Sequence, residues 1–295
     1  MLMTVLRTGP LVVIKDGGRV GHAALGVAPS GAADRGALAR ANFLVGNPAG
    51  AAALECTLGG LRVRFDEPAV VALTGTDATL TVDGAAFDPD EAVPVPAGAE
   101  VRLGMPRAGL RSYLAVRGGI DVPPVLGSRS TDPAGVGPPR PRPGDELPIG
   151  TLSEAGAAVA AVPLVTDEVI ELEVDLGPRE DWFTSEAVAV FLGEAYTVTP
   201  ASDTVGLRLD GPALQRRRTE ELPSEGVVRG SVQVPPDGKP IIFQADHPVT
   251  GGYPVIAVLT PEAADRAAQT RPGRRVRFVA AEPATSERVV LGALH

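Results

Sequence analysis

Ile170-Glu171-Leu172-Glu173-Val174-Asp175-Leu176 alternates apolar and acidic side chains without a break. Successive side chains of an extended strand point to opposite faces. The run therefore reads as a half-buried strand, with Ile170, Leu172, Val174 and Leu176 turned inward and the acids toward water. On its N-terminal side, Thr151 to Val165 is mostly Ala and Val with little period, and Gly118 to Gly150 is rich in Pro, Gly and Arg. A chain of 295 residues exceeds what one compact core usually holds, so two domains of roughly 130–150 residues are the default expectation. The boundary is placed in that stretch, giving domains 1–165 and 166–295.

On the C-terminal side, Thr184 as cap and Gly193 as terminator suggest a short helix from Ser185 to Leu192. Val227 to Val234 and Pro240 to Ala245 fit a hairpin through Pro235-Pro236-Asp237-Gly238, whose prolines preset φ and whose glycine accepts positive φ. Thr260-Pro261 predicts a helix start, since proline at the first helical position forfeits no needed donor. That helix ends before Arg271-Pro272-Gly273, and Arg275 to Val279 is a last strand.

In the first half, Ala37, Leu38, Ala41, Leu44 and Val45 recur at helical spacing over Gly31 to Val45, with Ser30 as the expected cap and Gly46-Asn47-Pro48 as the stop. Strands are expected at Leu61 to Phe65, Ala69 to Thr74, Thr79 to Val82, Val101 to Leu103 and Tyr113 to Val116. Asp83-Gly84 suits a hairpin turn. Gly 35 and Pro 29 fit many short strands rather than long helices.

Composition narrows the function classes. Net charge is −9, and the dense basic runs, Arg216 to Arg218 and Arg274 to Arg277, are too short for a nucleic-acid footprint. Lysine occurs only at Lys15 and Lys239 in an arginine-rich chain, a bias that coding composition explains. Cys56 is the sole cysteine, so neither a disulfide within the chain nor a cysteine zinc framework is expected, and a reducing cytoplasm fits. His22, His247 and His295 are widely spaced without a His-x-x-x-His pair, so no metal site is expected. No signal segment or run of eighteen apolar residues is expected to take the chain to or through a membrane. Gly-x-Ser-x-Gly is missing, and so is the phosphate-cradling Gly-x-x-x-x-Gly-Lys-Ser/Thr. Cys56 beside Glu55 reads as a buried, inert thiol more readily than as a nucleophile.

Two polar constellations remain. Ser30-Gly31-Ala32-Ala33-Asp34, followed by Asn42, Asn47 and Glu55, can hold an anionic group at a helix N-terminus and an amide on its carboxylates; the same residues serve equally as caps and turn formers. Asp246-His247-Pro248-Val249-Thr250-Gly251-Gly252-Tyr253-Pro254 is the second. Asp246 and His247 suit proton transfer, Thr250 and Tyr253 can donate hydrogen bonds, and the Gly251 and Gly252 amides can form a small anion nest. A tight turn needing glycine is the alternative.

Together these segments make the chain similar to the family of 5-oxoprolinase C subunits, also described as allophanate hydrolase subunit 2 or the biotin-dependent carboxyltransferase family. The resemblance runs nearly end to end. It rests on Gly26-Val27-Ala28-Pro29-Ser30-Gly31-Ala32-Ala33-Asp34, Ala41-Asn42-Phe43-Leu44-Val45-Gly46-Asn47, Leu54-Glu55-Cys56-Thr57, Tyr113 through Ile120, Leu126 through Thr131 and Gly144-Asp145. In the second half it rests on Ser224 through Val228, Gly230 through Gly238 and Asp246 through Pro254.

The resemblance implies a mainly β protein of two cyclophilin-like β-barrel domains with a few short helices. It implies one component of an ATP-dependent 5-oxoprolinase that opens the lactam of 5-oxo-L-proline to L-glutamate. Its partners would be a B-type 5-oxoprolinase subunit (allophanate hydrolase subunit 1) and an A-type one. ATP would be used by the complex rather than bound by this chain alone. Asp246 and His247 would be catalytic, and Ser30, Asp34, Asn42, Glu55, Gln233, Thr250, Gly251, Gly252 and Tyr253 would bind substrate. Relatives imply two alternatives: a carboxyltransferase component of a urea carboxylase, with biotin supplied only in trans, or a non-catalytic antagonist of a sporulation kinase inhibitor.

The sequence departs from the family in three places. The opening Val12-Val13-Ile14-Lys15-Asp16-Gly17-Gly18-Arg19 keeps only the acid, the second glycine and the arginine. Ala134 to Arg140 shortens a glycine-rich stretch, and Ser202-Asp203-Thr204-Val205-Gly206 lacks an arginine.

Overall fold

The computed structural model describes residues 1–151, 159, 160, 164 and 166–282. Residue 165, at the expected boundary, and His295 lie outside them. Short strands separated by turns dominate, as the glycine and proline content requires.

The first half contains β1 (Leu2–Arg7), β2 (Leu11–Lys15), α1 (Arg35–Val45), β3 (Ala53–Thr57), β4 (Arg62–Phe65), β5 (Ala69–Thr74), β6 (Leu80–Val82), β7 (Ala85–Phe87), β8 (Ala92–Val95), β9 (Glu100–Leu103), β10 (Arg111–Val116) and β11 (Glu146–Pro148). They form a six-stranded sheet, β11-β1-β4-β9-β6-β7, and a five-stranded sheet, β2-β3-β10-β5-β8. Met3, Val63, Phe65 and Leu80 from the first meet Ile14, Leu54, Leu73 and Leu114 from the second in one apolar core. The outer face of the five-stranded sheet carries α1, whose Ala37, Leu38, Ala41 and Val45 pack on Ala53, Ala72, Tyr113 and Ala115. Small side chains there let the helix approach closely. Every residue of β10 is buried because both of its faces are covered.

The second half contains β12 (Val169–Leu176), α2 (Ser185–Gly193), β13 (Ala195–Val198), β14 (Gly206–Asp210), β15 (Glu225–Gly226), β16 (Ser231–Gln233), β17 (Ile241–Phe243), β18 (Thr250–Gly251), β19 (Val255–Leu259), α3 (Pro261–Ala268) and β20 (Arg275–Ala280). Seven of these strands close into a barrel in the order β12-β19-β16-β17-β14-β13-β20. The parallel pairing of β12 with β20, from Val169 opposite Arg275 to Val174 opposite Ala280, completes it. Closure removes the exposed edges that a short open sheet would leave. β15 and β18 make a separate two-stranded ribbon. The mainly β class with few short helices is thus as expected; its closed barrel lies in the second half, and the first half is two facing sheets.

Particular elements follow the sequence closely. Ile170, Leu172 and Val174 point into the barrel and Glu171 and Asp175 outward, whereas Leu176, the last residue of β12, is 42% exposed. Gly46 ends α1 at φ 77°, Asp83 and Gly84 turn at φ 46° and 90°, and Gly238 N–H closes its turn onto Pro235 O at 3.0 Å. Thr260 caps α3 by accepting from Ala263 N.

Two helix ends differ. α1 begins at Arg35, capped by Asp34 rather than Ser30, because Ala33 N–H and Asp34 N–H are drawn away to Glu55 Oε2 (3.0 Å) and Tyr113 Oη (2.8 Å). α2 keeps Gly193 as its last helical residue, and Glu194 takes the cap position.

Candidate functional site

The N-terminus of α1 is where the two halves are fastened. The first N–H groups of a helix lack partners within it; here Asp34 Oδ1 accepts from Ala37 N at 2.8 Å. Asp265 of α3, more than two hundred residues away in sequence, accepts from Arg35 N and Gly36 N at 2.9 and 3.0 Å. Arg229 ties Asp265 to Ala33 O. Just past α3, Gln269 Oε1 accepts from Leu110 N and Arg111 N, both at 2.8 Å, and its Nε2 donates to Asp34 Oδ2 at 2.8 Å. Asp265→Ala removes the shared cap and is expected to cost about 1–2 kcal/mol, read as a lower urea midpoint at unchanged m-value.

Along this seam the segment after β17 meets the end of β2. Lys15 Nζ lies 2.8 and 3.0 Å from the two Asp246 carboxylate oxygens. Ser30 Oγ donates to Asp246 Oδ1 at 2.5 Å, and Lys15 donates to Ser30 Oγ at 3.1 Å. All three residues are buried. Ser30 holds φ 54°, the left-handed region that non-glycine residues seldom adopt, and that conformation belongs to the loop presenting its hydroxyl here. Thr204 O accepts Asp246 N–H at 3.0 Å. The carboxylate is thereby held in place by a cation and a hydroxyl, two partners that compensate its loss of water.

Asp246 and His247 border a cleft of about 400 Å³ between the halves, with Gly26 to Ala28 and Asp132 to Ala134 on one wall and Val205 and Pro248 on the other. His247 Nδ1 is 2.7 Å from Pro248 O. A carbonyl only accepts, so Nδ1 carries the proton and the neutral ring keeps a lone pair on Nε2. Burial pushes the imidazole pKa below its usual value, and Arg35 and Arg229 push the same way. The ring is therefore neutral at pH 7 and can accept a proton.

The altered opening motif braces one wall of the cleft from behind, through the segment that carries Asp132. Asp16 Oδ1 accepts from Gly18 N (2.8 Å) and from the Ser128 and Ser130 hydroxyls (both 2.6 Å), and Oδ2 accepts from Arg129 N (2.5 Å). Arg19 reaches Asp132 Oδ2 at 3.2 Å and Ser130 O at 2.6 Å. A Cβ at Gly18 would lie 2.8 Å from Pro29 O, so only glycine lets this segment approach the Ser30 loop. The acid, glycine and arginine retained from the family pattern are the three that the wall uses.

The other named residues divide. Asp34 is buried at the seam, its carboxyl pushed up to about 7, chiefly by burial and then by Asp265. Glu55 holds the loop before α1 through Ala33 N and the Tyr113 hydroxyl. Asn42 donates to Ala49 O and Ala51 O and accepts from Asn47, closing the loop after α1. Gln233 donates to Tyr253 O at 2.8 Å, and Gly251 packs against its side chain. Thr250 and Gly251 pair with Gly226 and Glu225. Gly252 is exposed; so is Tyr253, whose ring lies under Arg216. Of the residues from 250 to 253, none lines the Asp246 cleft; Gly251 ends β18 and Gly252 follows it. The α1 N-terminus, expected as an anion site, is filled by the protein's own Asp34 and Asp265.

Sequence reading named Asp246 and Ser30 without their counter-charge, Lys15. Its signal was present: one of two lysines in the chain, closing an apolar run. Arg229, Asp265 and Gln269 carried no signal, since surface-type residues on a short helix and loops acquire meaning only against the other half.

A family model described as the carboxyltransferase domain, subdomain A and B, matches residues 25–280, most of the chain and all of this geometry except Lys15 and the opening segment. The chain belongs to the carboxyltransferase-domain family. Within that family it is 38% identical over 284 residues to the C subunit of 5-oxoprolinase from Escherichia coli (strain K12), covering 94% of this chain and 91% of that one. It is 32% identical over 289 residues to urea amidolyase of Saccharomyces cerevisiae, covering 89% of this chain and 16% of the yeast protein. The crystal structure of the K. lactis urea amidolyase superposes with a TM-score of 0.88 at 29% identity, over 95% of this chain and 19% of that one. The chain thus spans about a fifth of the length of that protein. No helix among the described residues is long and apolar enough to cross a membrane.

Proposed function

We propose that this chain is one component of an ATP-dependent 5-oxoprolinase, acting in the cytoplasm with B-type and A-type partner subunits to hydrolyse 5-oxo-L-proline to L-glutamate. The observation that carries this reading is the 38% identity with the E. coli C subunit over nearly the full length of both chains. The cleft supplies chemistry to match. Asp246 accepts the lactam N–H, its charge kept in place by Lys15 and Ser30, and His247 takes a proton from the attacking water through Nε2.

ATP, when bound by the complex, makes the amide oxygen a better leaving group. The cleft in this chain does not fit the triphosphate. Its ionisable lining is Asp132, Asp246 and His247, and the cations behind them, Arg19 and Lys15, are engaged by those carboxylates. The nucleotide site belongs to a partner.

A second reading, carboxyl transfer from biotin carried in trans, is favoured by the likeness to urea amidolyase. Neither lysine here is free to carry biotin: Lys15 is buried against Asp246, and Lys239 pairs with Asp210 at 2.9 Å and reaches Gly211 O. Reconstitution with the partner subunits tests both. ATP-dependent glutamate release is expected to need this chain and to fall about 10²–10³-fold in Asp246→Asn with folding intact. Undiminished release without the chain rejects the lactam reading, and ATP consumption driven by urea with no glutamate formed selects the second.

A further inference from the structure

The seam opens a second time beside the Asp246 cleft. The two hollows share Pro133 and Val205, and the second has a volume of about 410 Å³. Its walls are largely apolar, with Leu58, Leu110 and Leu207 prominent, but its polar groups differ in sign from those of the first. Arg111 and Arg140 line it, together with the hydroxyl residues Thr57 and Thr204.

Arg140 and the two hydroxyls are uncommitted to the degree that a ligand needs, and Arg111 is committed in part. Arg111, from β10, is 5% exposed. Its Nη1 donates to Ala268 O, its Nε forms a 3.7 Å ion pair with Glu55 Oε1 without a hydrogen bond, and its Nη2 has no hydrogen-bond partner among the described residues. Arg140 is exposed and makes no ion pair or side-chain hydrogen bond among the described residues. The hydroxyls of Thr57 and Thr204 are equally without partners there. Asp203, the only acid on the lining, is turned to its own loop, its Oδ1 accepting from Val205 N (2.8 Å) and Gly206 N (3.0 Å). In a chain of net charge −9, this hollow presents the Arg140 guanidinium with no carboxylate paired to it among the described residues.

We propose that the second hollow is a binding subsite for a small organic carboxylate. The carboxylate lies on Arg140 and Arg111, within reach of the Thr57 and Thr204 hydroxyls, and the apolar body rests against Leu58, Leu110 and Leu207. Guanidinium groups suit carboxylate geometry, and a leucine-walled space of this volume suits an organic body rather than an inorganic ion. Occupancy would also be felt at the first cleft, because Thr204 O is the acceptor that holds Asp246 N–H. The assignment stands on this lining and not on the lactam reading, and it is tested by binding without turnover.

The probe is benzoate, with benzamide as its neutral isostere, titrated calorimetrically into the full chain, Arg140→Ala and Thr204→Glu. Both substitutions are at solvent-reached positions outside the cores. Benzoate is expected to saturate and to bind at least about tenfold tighter than benzamide. It should weaken roughly five- to tenfold in Arg140→Ala and be lost in Thr204→Glu, while benzamide is unmoved. Backbone amide shifts should move at Thr57, Thr204 and Arg140. Equal binding of benzoate and benzamide, no benzoate binding, or benzoate affinity that is the same in all three proteins overturns the proposal. So does displacement of benzoate by equimolar inorganic phosphate.

Discussion

Lys15→Met is expected to destabilise the protein by about 3–5 kcal/mol. Lys15 and Asp246 are both almost fully removed from water, so deleting the ammonium leaves a buried carboxylate with only the Ser30 hydroxyl for compensation. A lone buried charge costs far more than the intact pair contributes. Asp246→Asn should also destabilise, by stranding Lys15, and the double variant should recover much of the loss because no charge is left unpaired. Denaturation of the four proteins measures this as a coupling on the order of 2–3 kcal/mol. Simple additivity of the two single effects would show that the pair is not the structural unit described here. The pair joins β2 to the segment after β17, so the variant should also loosen the seam and lose turnover in the reconstituted complex.

Stability is expected to fall by on the order of 3–4 kcal/mol between pH 4 and pH 7 through Asp34 alone. Its carboxyl is pushed from an ordinary 3.8 up to about 7, first by burial and then by Asp265, against the hydrogen bonds from Ala37 and Gln269 and the charge of Arg229. Below the unfolded value both states are protonated and the contribution is fully present. As pH rises the unfolded chain releases the proton while the folded chain retains it, so stability declines until the folded value is passed, and then levels off. Asp34→Asn cannot ionise and should flatten that part of the profile by up to about 1.4 kcal/mol per pH unit. A variant profile as steep as the parent's would place the titration elsewhere.

How much of this could be read beforehand depended on the range of the interaction concerned. The strand from Ile170 to Val174, the Asp83-Gly84 turn, the Gly46 stop and the Thr260-Pro261 start all follow from residues within a few positions of one another. β2 and β3 escaped notice because both of their faces are covered: Val12, Val13 and Ile14 form an unbroken buried run without the alternation that marks a half-exposed strand. The α1 start was placed four residues early because Glu55 and Tyr113, on strands not yet formed around it, outcompete the helix for the first amides. At the site, Asp246 and His247 stood out by their company of polar and small residues. Thr250, Gly251, Gly252 and Tyr253 shared that company, yet the chain turns away after Val249 into the β15–β18 ribbon.

What the sequence determined by itself is the mainly β class, most turns and helix ends, and the family to which these motifs point, since dihedral preference and side-chain alternation are local properties. Only the folded chain decided which polar residues meet. Lys15 and Asp246 are separated by 231 positions, and Asp265 caps a helix begun 230 positions earlier. Pairings of this kind are set by how two separate cores pack against each other. A charge without its partner in view reads as an ordinary solvated side chain.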